Sequence, residues 1–288
     1  MDMKKLLILS ILVALLLAGC APKKSAQVAA TTLPVYEFTA ALCEGTNITV
    51  SRLVTENVSC LHDYSVQVSQ MQAVASAEAV VISGGGLEEF LEDVLTGASC
   101  VIDASEGLEL SCGHHHESDG HHHEHDPHIW LSPEKAKQMC QNIATKLSSL
   151  YPLHVDTFTN NLDTLLAKLD ALQAYGEKQL GSLTSRNLIT FHDGFSYFAE
   201  SFDLHILKAV EEESGSEASA KELIELIDLV NGNHLPSIFT EANGSTSAAE
   251  IIAKETGAKV YTLDMAISGD SYFTAMYHNI DTVKEALE

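Results

Sequence analysis

The stretch from Leu153 to Leu183 constrains the fold of this chain most strongly, because it has helical spacing throughout and no internal proline. Its apolar residues recur mostly every three or four positions, which predicts one amphipathic helix about 45 Å long at about 1.5 Å per residue. On either side, short β-branched runs alternate with longer helical patterns. The chain is therefore predicted to form two lobes joined by one long rigid helix.

This alternation is typical of βα units around mainly parallel sheets, so the predicted fold class is α/β. The predicted boundaries are an N-terminal lobe at 28–152, a connecting helix at 153–184 and a C-terminal lobe at 185–288. Strands are predicted at 28–33, 48–55, 79–83 and 100–103 in the first lobe, and at 187–191, 204–210, 237–240 and 259–263 in the second.

The N-terminus has the pattern of an export signal. Two lysines precede an apolar run from Leu6 to Leu17, which is short for a membrane span and typical of a signal-peptide core. The run ends in Leu-Ala-Gly-Cys, which resembles a bacterial lipobox. We expect 1–19 to be a lipoprotein signal peptide, Cys20 to carry lipid and 20–27 to be a linker to the cell membrane. A plain signal peptide with an incidental cysteine is the alternative.

Charge and motifs exclude several function classes. The formal net charge is −24 at pH 7, which repels nucleic acid and attracts cations. The sequence has no phosphate loop, dinucleotide signature, His-Glu-x-x-His helix or Gly-x-Ser-x-Gly elbow. We therefore predict a binding protein and not an enzyme.

The cysteines do not form a zinc-ligand motif. Besides the lipid cysteine there are five, an odd number, and no Cys-x-x-Cys pair, so a thiolate zinc site is not expected. An exported chain permits disulfides, but the sequence leaves the pairing open. These five are Cys43, Cys60, Cys100, Cys112 and Cys140.

A histidine-rich block lies between Cys112 and Pro133. Neutral imidazoles beside carboxylates favour borderline divalent metals, zinc first. Its first part, 113–125, has no hydrophobic periodicity and is predicted to be a loop that collects zinc loosely. Alternatives are a solvated loop without a role or, less plausibly, a purification tag. The auxiliary residues are His114, His115, His116, His121, His122, His123 and His125.

The second part of the block, Asp126 to Pro133, is different, because apolar side chains and two prolines surround a single histidine. His128 is therefore predicted to be a structured metal ligand. The alternative is a core histidine held by a hydrogen bond.

Four potential ligands follow predicted strands. Ligand sites in open α/β sheets form beyond the carboxyl ends of strands. If the two lobes face each other, three imidazoles and one carboxylate meet, which suits tetrahedral zinc. The four are His62, His128, His192 and Asp264. The histidines at 154, 205, 234 and 278 lack this placement and are interpreted as surface or packing residues.

Several motifs resemble the metal-binding solute-receptor family of bacterial ABC transporters, which serve zinc and manganese uptake. They include His-Asp-Tyr-Ser at 62–65, Asp-Pro-His-Ile-Trp-Leu-Ser-Pro at 126–133 and Phe-His-Asp-Gly-Phe at 191–195. Ile-Phe-Thr-Glu at 238–241 and Leu-Asp at 263–264 extend the similarity over nearly the whole mature chain. Relatives often have proline after that aspartate, where this chain has Met265, and many have proline or an acid ahead of His62.

The resemblance implies two α/β lobes, a metal ion bound between them, and delivery of that ion to an ABC permease and its ATPase. It implies the ligand set His62, His128, His192 and Asp264, and the histidine at 192 is similar to zinc-type members. We predict a monomeric, extracytoplasmic Zn²⁺ receptor. The same role for Mn²⁺ or Fe²⁺ is the first alternative, and a zinc hydrolase with Glu241 as general base is a remote one.

Overall fold

The structure is a computed structural model that describes residues 26–58, 61, 64–111, 125–211 and 218–288. The predictions for Cys20, His62, Cys60, Cys112 and the histidines at 114–116 and 121–123 lie outside these residues. Among the described residues, no helix is both long and apolar enough to cross a membrane.

The first lobe contains a sheet of four parallel strands in the order β2-β1-β3-β4. These strands are β1 (Val28–Ala30), β2 (Val50–Arg52), β3 (Ala79–Ile82) and β4 (Val101–Asp103). Its helices are α1 (Leu33–Leu42), α2 (Val68–Ser76), α3 (Glu92–Leu95) and α4 (Pro133–Leu150), with 3-10 turns at Glu89–Leu91 and Ile129–Leu131.

The second lobe contains another sheet of four parallel strands, in the order β6-β5-β7-β8. These are β5 (Asn187–His192), β6 (His205–Glu211), β7 (Ser237–Glu241) and β8 (Lys259–Leu263). Its helices are α6 (Ser196–Ser201), α7 (Ala220–Gly232), α8 (Ser247–Thr256) and α9 (Tyr272–Leu287), and α5 (Val155–Leu180) leads into it. The predicted α/β class with two parallel sheets and one long helix is confirmed.

Local sequence accounts for the helix ends. Ser132 begins α4, where its hydroxyl accepts a hydrogen bond from Lys135 N and proline occupies the first turn. Ser219 and Glu222 form a capping box at the start of α7. Gly257 ends α8 with a φ of +79°, a conformation that favours glycine. Leu153 and His154, predicted as helical, belong instead to a 3-10 turn at Pro152–His154 ahead of α5.

The two lobes share one hydrophobic core that runs from β1 to α9. Phe38 in α1 packs edge to face on Tyr272 in α9, with ring centroids 5.0 Å apart. The Tyr272 hydroxyl donates to Trp130 O at 2.8 Å, and Trp130 Nε1 donates to Met265 O at 2.8 Å. Because these side chains are fully buried, the lobes meet through packed contacts as well as through α5.

Candidate metal centre

His192 is the last residue of β5, a central strand of the second sheet. Strand β5 lies between β6 and β7, so the chain adds strands on one side of β5 and then on the other. Open α/β sheets bind ligands at such a switch point, beyond the carboxyl ends of the strands. The four residues before His192, 188–191, are apolar or β-branched and buried, as expected for a strand covered on both faces. His192 itself is only 1% exposed, so the sheet holds its ring at a buried edge.

His128 reaches the same place from the first lobe. Its backbone N and its ring Nδ1 each lie 2.9 Å from Oδ1 of Asp126, two residues earlier. The carboxylate therefore accepts a hydrogen bond from the Nδ1–H tautomer, which leaves the Nε2 lone pair available to a metal ion. Pro127, between them, restricts the backbone of this short turn.

The second lobe also fastens the loop that carries His128. Tyr197 in α6 donates its hydroxyl proton to Asp126 O at 3.0 Å and accepts from Ser111 N at 2.9 Å. Because Tyr197 is fully buried, these hydrogen bonds are shielded from water. The carboxylate that orients His128 is thereby placed relative to the second lobe.

The Nε2 atoms of His128 and His192 lie 3.5 Å apart. Their rings are nearly perpendicular, at 85°, with centroids 5.2 Å apart. Two nitrogens bound tetrahedrally to zinc at about 2.0–2.1 Å are separated by about 3.3 Å. The spacing in the structure is thus close to that of two ligands of one zinc ion.

His192 faces a second carboxylate on its other side. Its Nδ1 lies 3.7 Å from Oε2 of Glu241, the last residue of β7, and both side chains are buried. Glu241 thus faces the ring nitrogen opposite to the one that faces His128. Glu241, which the sequence suggested only as the general base of a hydrolase alternative, therefore lies at the sheet edge beside a histidine.

Because Gly194 has no side chain, the two histidine rings can approach its backbone closely. A Cβ atom there would lie 2.6 Å from Met265 Cε, 2.7 Å from His192 Cδ2 and 3.0 Å from His128 Nδ1. Such separations are too short for carbon atoms, so any side chain would displace a ring or Met265. Gly194 therefore borders both imidazoles and the Met265 methyl group.

Asp264 lies directly before Met265 and is half-buried. Its Oδ1 accepts from Ala266 N at 2.8 Å, and its backbone N and O are hydrogen-bonded to the side chain of Asn279 at 2.8 and 2.7 Å. This turn replaces the proline that relatives often have after the aspartate. In the described part of the chain, no three His, Cys, Asp or Glu side chains gather closely enough to hold a metal ion.

The other candidates have these positions. His62 and the histidines at 114–116 and 121–123 lie outside the described residues, whereas His125 is described and exposed. His205, His234 and His278 are exposed, and His154 is half-buried beside Phe158. Burial raises the pKa of the Cys43 thiol to about 12 and that of Cys140 above its usual range, which keeps these free cysteines protonated.

Sequence reasoning did not assign the two carboxylates that face the histidines. Asp126 precedes His128 by two residues, a spacing that allows a side chain to reach back to the ring. Glu241 ends β7, as His192 ends β5, and the register pairs Thr190 with Phe239, two residues before each. The end-of-strand rule that selected His192 also applies to Glu241.

A profile of the ZnuA family, described as zinc-uptake complex component A, periplasmic, matches residues 28–286. The chain belongs to this family. Its members are solute-binding proteins and not enzymes, so the hydrolase alternative is not supported.

Relatives of the chain include metal-binding proteins of two bacterial groups. A Treponema pallidum protein described as metal-binding is 28% identical over 84% of this chain and 81% of its own length. The zinc-binding lipoprotein AdcA of Streptococcus pneumoniae is 29% identical over 99% of this chain, but the match spans only 62% of AdcA. The streptococcal relatives therefore contain sequence that this match does not cover.

Solved structures of family members have the same fold. A crystal structure of ZnuA superimposes with a TM-score of 0.79 at 31% identity, covering 91% of this chain and all of the other. The Zn(II)-bound form of an AdcAII variant of Streptococcus pneumoniae gives a TM-score of 0.80 at 26% identity, over 93% of this chain. The laminin-binding protein Lmb of Streptococcus agalactiae gives 0.79 at 26%, over 91% of this chain.

Proposed function

We propose that this ZnuA-family chain is a lipid-anchored receptor that binds Zn²⁺ outside the cytoplasmic membrane and delivers it to an ABC permease and its ATPase. The single observation that carries the proposal is the approach of His128 Nε2 to His192 Nε2 at 3.5 Å across the two lobes. Family membership supports the transport role, and the Zn(II)-bound AdcAII structure supports zinc as the cargo.

The proposed ligand set is His62, His128, His192 and Asp264. His128 and His192 enter from opposite lobes with their Nε2 atoms at the spacing of tetrahedral zinc ligands. Asp264 supplies an oxygen from the segment that carries Met265, and His62 a third nitrogen from the loop after β2. Nitrogen ligands favour zinc over manganese or iron in the usual affinity order.

Metal analysis of the chain purified without a tag tests this site. The protein should retain one tightly held equivalent of zinc, and His192→Ala should lose it. His205→Ala is the matched control, because His205 is exposed and lies on the edge strand β6, away from the lobe interface. Full zinc retention in His192→Ala would overturn the assignment.

Zinc selectivity is tested by competition. In metal-buffered solutions, Zn²⁺ should displace Mn²⁺ and Fe²⁺ from the chain even when the free Zn²⁺ concentration is well below that of the competing ion. Protons compete with metal for imidazole, so affinity should also be lower at pH 5 than at pH 7.5. Preferential binding of Mn²⁺, or an affinity unchanged between pH 7.5 and pH 5, would contradict an imidazole-rich zinc site.

The histidine-rich loop is proposed to add weaker sites that raise the local zinc concentration. Deletion of 113–125 should preserve one tight site and remove the additional zinc that binds at higher concentration. Loss of the tight site on deletion would show that the loop supplies essential ligands.

Lipid anchoring is proposed from the Leu-Ala-Gly-Cys sequence that ends at Cys20. Mass spectrometry of the protein from membranes should find diacylglycerol on Cys20 as the first residue. Cys20→Ala should move the protein from the membrane fraction to the soluble fraction. Unchanged membrane association of Cys20→Ala would rule out this anchor.

A further inference from the structure

We propose that Glu241 is a positioning residue for zinc binding, one that holds His192 in the tautomer with a proton on Nδ1 and a free lone pair on Nε2. The inference rests on the proposed zinc site and adds a residue that does not touch the ion. Its basis is the approach of Glu241 Oε2 to His192 Nδ1 at 3.7 Å, within a buried pair.

The sheet itself places these two residues side by side. β5 and β7 are parallel neighbours, and Thr190 is paired with Phe239. His192 and Glu241 each follow two residues later, and residues two apart on a strand project from the same face. The carboxylate is therefore positioned by backbone register, not by a flexible loop.

A tight turn after β7 confines the Glu241 side chain. Gly244 N donates to Glu241 O at 3.2 Å, which brings this glycine over the carboxylate. A Cβ at Gly244 would lie 2.6 Å from Glu241 Cγ and 3.0 Å from Oε1. Because residue 244 has no side chain, the Glu241 side chain can occupy this volume.

The chemistry follows from the two faces of the His192 ring. At 3.7 Å, beyond hydrogen-bond distance, a carboxylate beside Nδ1 favours the tautomer with its proton there through charge attraction, which is strong in a buried pair. Nε2, which faces His128, is then unprotonated and able to bind a metal ion. A carboxylate behind a ligand histidine also makes the imidazole a stronger donor, and its loss typically lowers metal affinity 10–100-fold.

Both histidines would then be oriented from within their own lobes. Asp126 faces Nδ1 of His128 in the first lobe, and Glu241 faces Nδ1 of His192 in the second. Each lobe presents one imidazole with its lone pair already directed at the other. With both Nε2 atoms unprotonated, neither ring donates to the other across 3.5 Å, so the pair presents two acceptors to a cation.

The first test is the tautomer of His192 in the wild-type, metal-free protein. Long-range ¹H–¹⁵N spectra at pH 8 should show Nδ1 protonated and Nε2 unprotonated, with His192→Gln used for assignment. A proton on Nε2 would overturn the proposal, and this measurement does not depend on a variant that folds.

The second test compares zinc affinities by chelator competition. Glu241→Gln should weaken zinc binding 10–100-fold, and Glu241→Asp should recover part of the loss. Glu255→Gln, an exposed change on α8, is the control. If the wild type binds zinc tightly and the affinity of Glu241→Gln is within twofold of the wild-type affinity, the role of Glu241 is refuted and the zinc site stands. If the wild type itself does not bind zinc tightly, the zinc site is refuted.

Discussion

His128 and His192 are 64 positions apart in the sequence and belong to different lobes, yet their Nε2 atoms lie 3.5 Å apart. Trp130, whose ring centroid lies 5.4 Å from that of His128, and Tyr272, which donates to Trp130 O, are fully buried in the shared core and also join the lobes. The approach of the two imidazoles therefore depends on the packing of the whole interface.

Asp126 should be necessary for high zinc affinity. Its Oδ1 is the partner of both the backbone N and the ring Nδ1 of His128. Asp126→Asn weakens this acceptor and permits the other ring tautomer, so zinc affinity should fall 10–100-fold. Chelator competition measures the change, with Asp156→Asn on the exposed start of α5 as control. Equal affinities of the two variants would contradict the orienting role of Asp126.

Gly194→Ala should disturb both the fold and the site. The added methyl group would overlap Met265 Cε and His192 Cδ2, and overpacking of this kind costs about 1–3 kcal/mol of unfolding free energy. Urea unfolding and zinc titration measure the two effects. The control is Gly232→Ala at the end of α7, where no atom lies within 4 Å of the new Cβ. The control should match the wild type or be slightly more stable, and equal behaviour of both variants would be inconsistent with the close packing.

Tyr272→Phe should loosen the contact between the lobes. It removes a buried hydroxyl that donates to Trp130 O at 2.8 Å and leaves that carbonyl without this donor. The expected loss of unfolding free energy is about 1–3 kcal/mol. Tyr175→Phe is the control, since its bond to Asp281 is exposed and its loss should cost little. If both variants unfold at the same urea concentration, the buried hydrogen bond does not stabilise the interface.

Glu88 should make stability depend on pH. Burial raises the pKa of its carboxyl group to about 7, although Thr31 and the backbone of Ser83 and Gly84 donate hydrogen bonds to it. Since the unfolded pKa is about 4.5, the folded state binds the proton more tightly. Glu88 therefore favours the folded state below pH 4.5, and this contribution is lost as the pH rises through 7.

Glu88→Gln isolates this effect from the other carboxyl groups. Relative to the variant, the wild type should lose about 3 kcal/mol of unfolding free energy as the pH rises from below 4.5 to about 8, with no further relative change above that. Urea unfolding of the metal-free proteins at several pH values measures the difference. Parallel curves for the two proteins across this range would show that Glu88 does not titrate as described.

Much of the architecture follows from local sequence. Short β-branched runs predict all eight described strands, because the pattern of a strand is contained within a few residues. Ser132 and Pro133 predict the start of α4 for the same reason, whereas the capping of α7 by Ser219 and the left-handed conformation of Gly257 that ends α8 were found only in the structure. The boundaries differ by one to three residues in most elements, as at β1, which ends at Ala30 and not at 33.

The site could be predicted in part. His128 and His192 are identifiable from prolines, apolar neighbours and the rule that ligands follow strands. Their orientation was not predictable, because Asp126 and Glu241 act through distances and ring faces that a sequence pattern does not specify. Relatives often have proline after the aspartate, where this chain has Met265. In the structure, the Asn279 side chain in α9 is hydrogen-bonded to the backbone N and O of Asp264.

By itself the sequence determined the α/β elements and the candidate residues that follow the strands, because each depends on residues close together in the chain. Only the tertiary structure decided that His128 meets His192, that each ring faces a carboxylate through Nδ1, and that Gly194 borders both rings. These relationships depend on how two separately encoded lobes pack through a common core, and that packing is a sum of many contacts between distant residues.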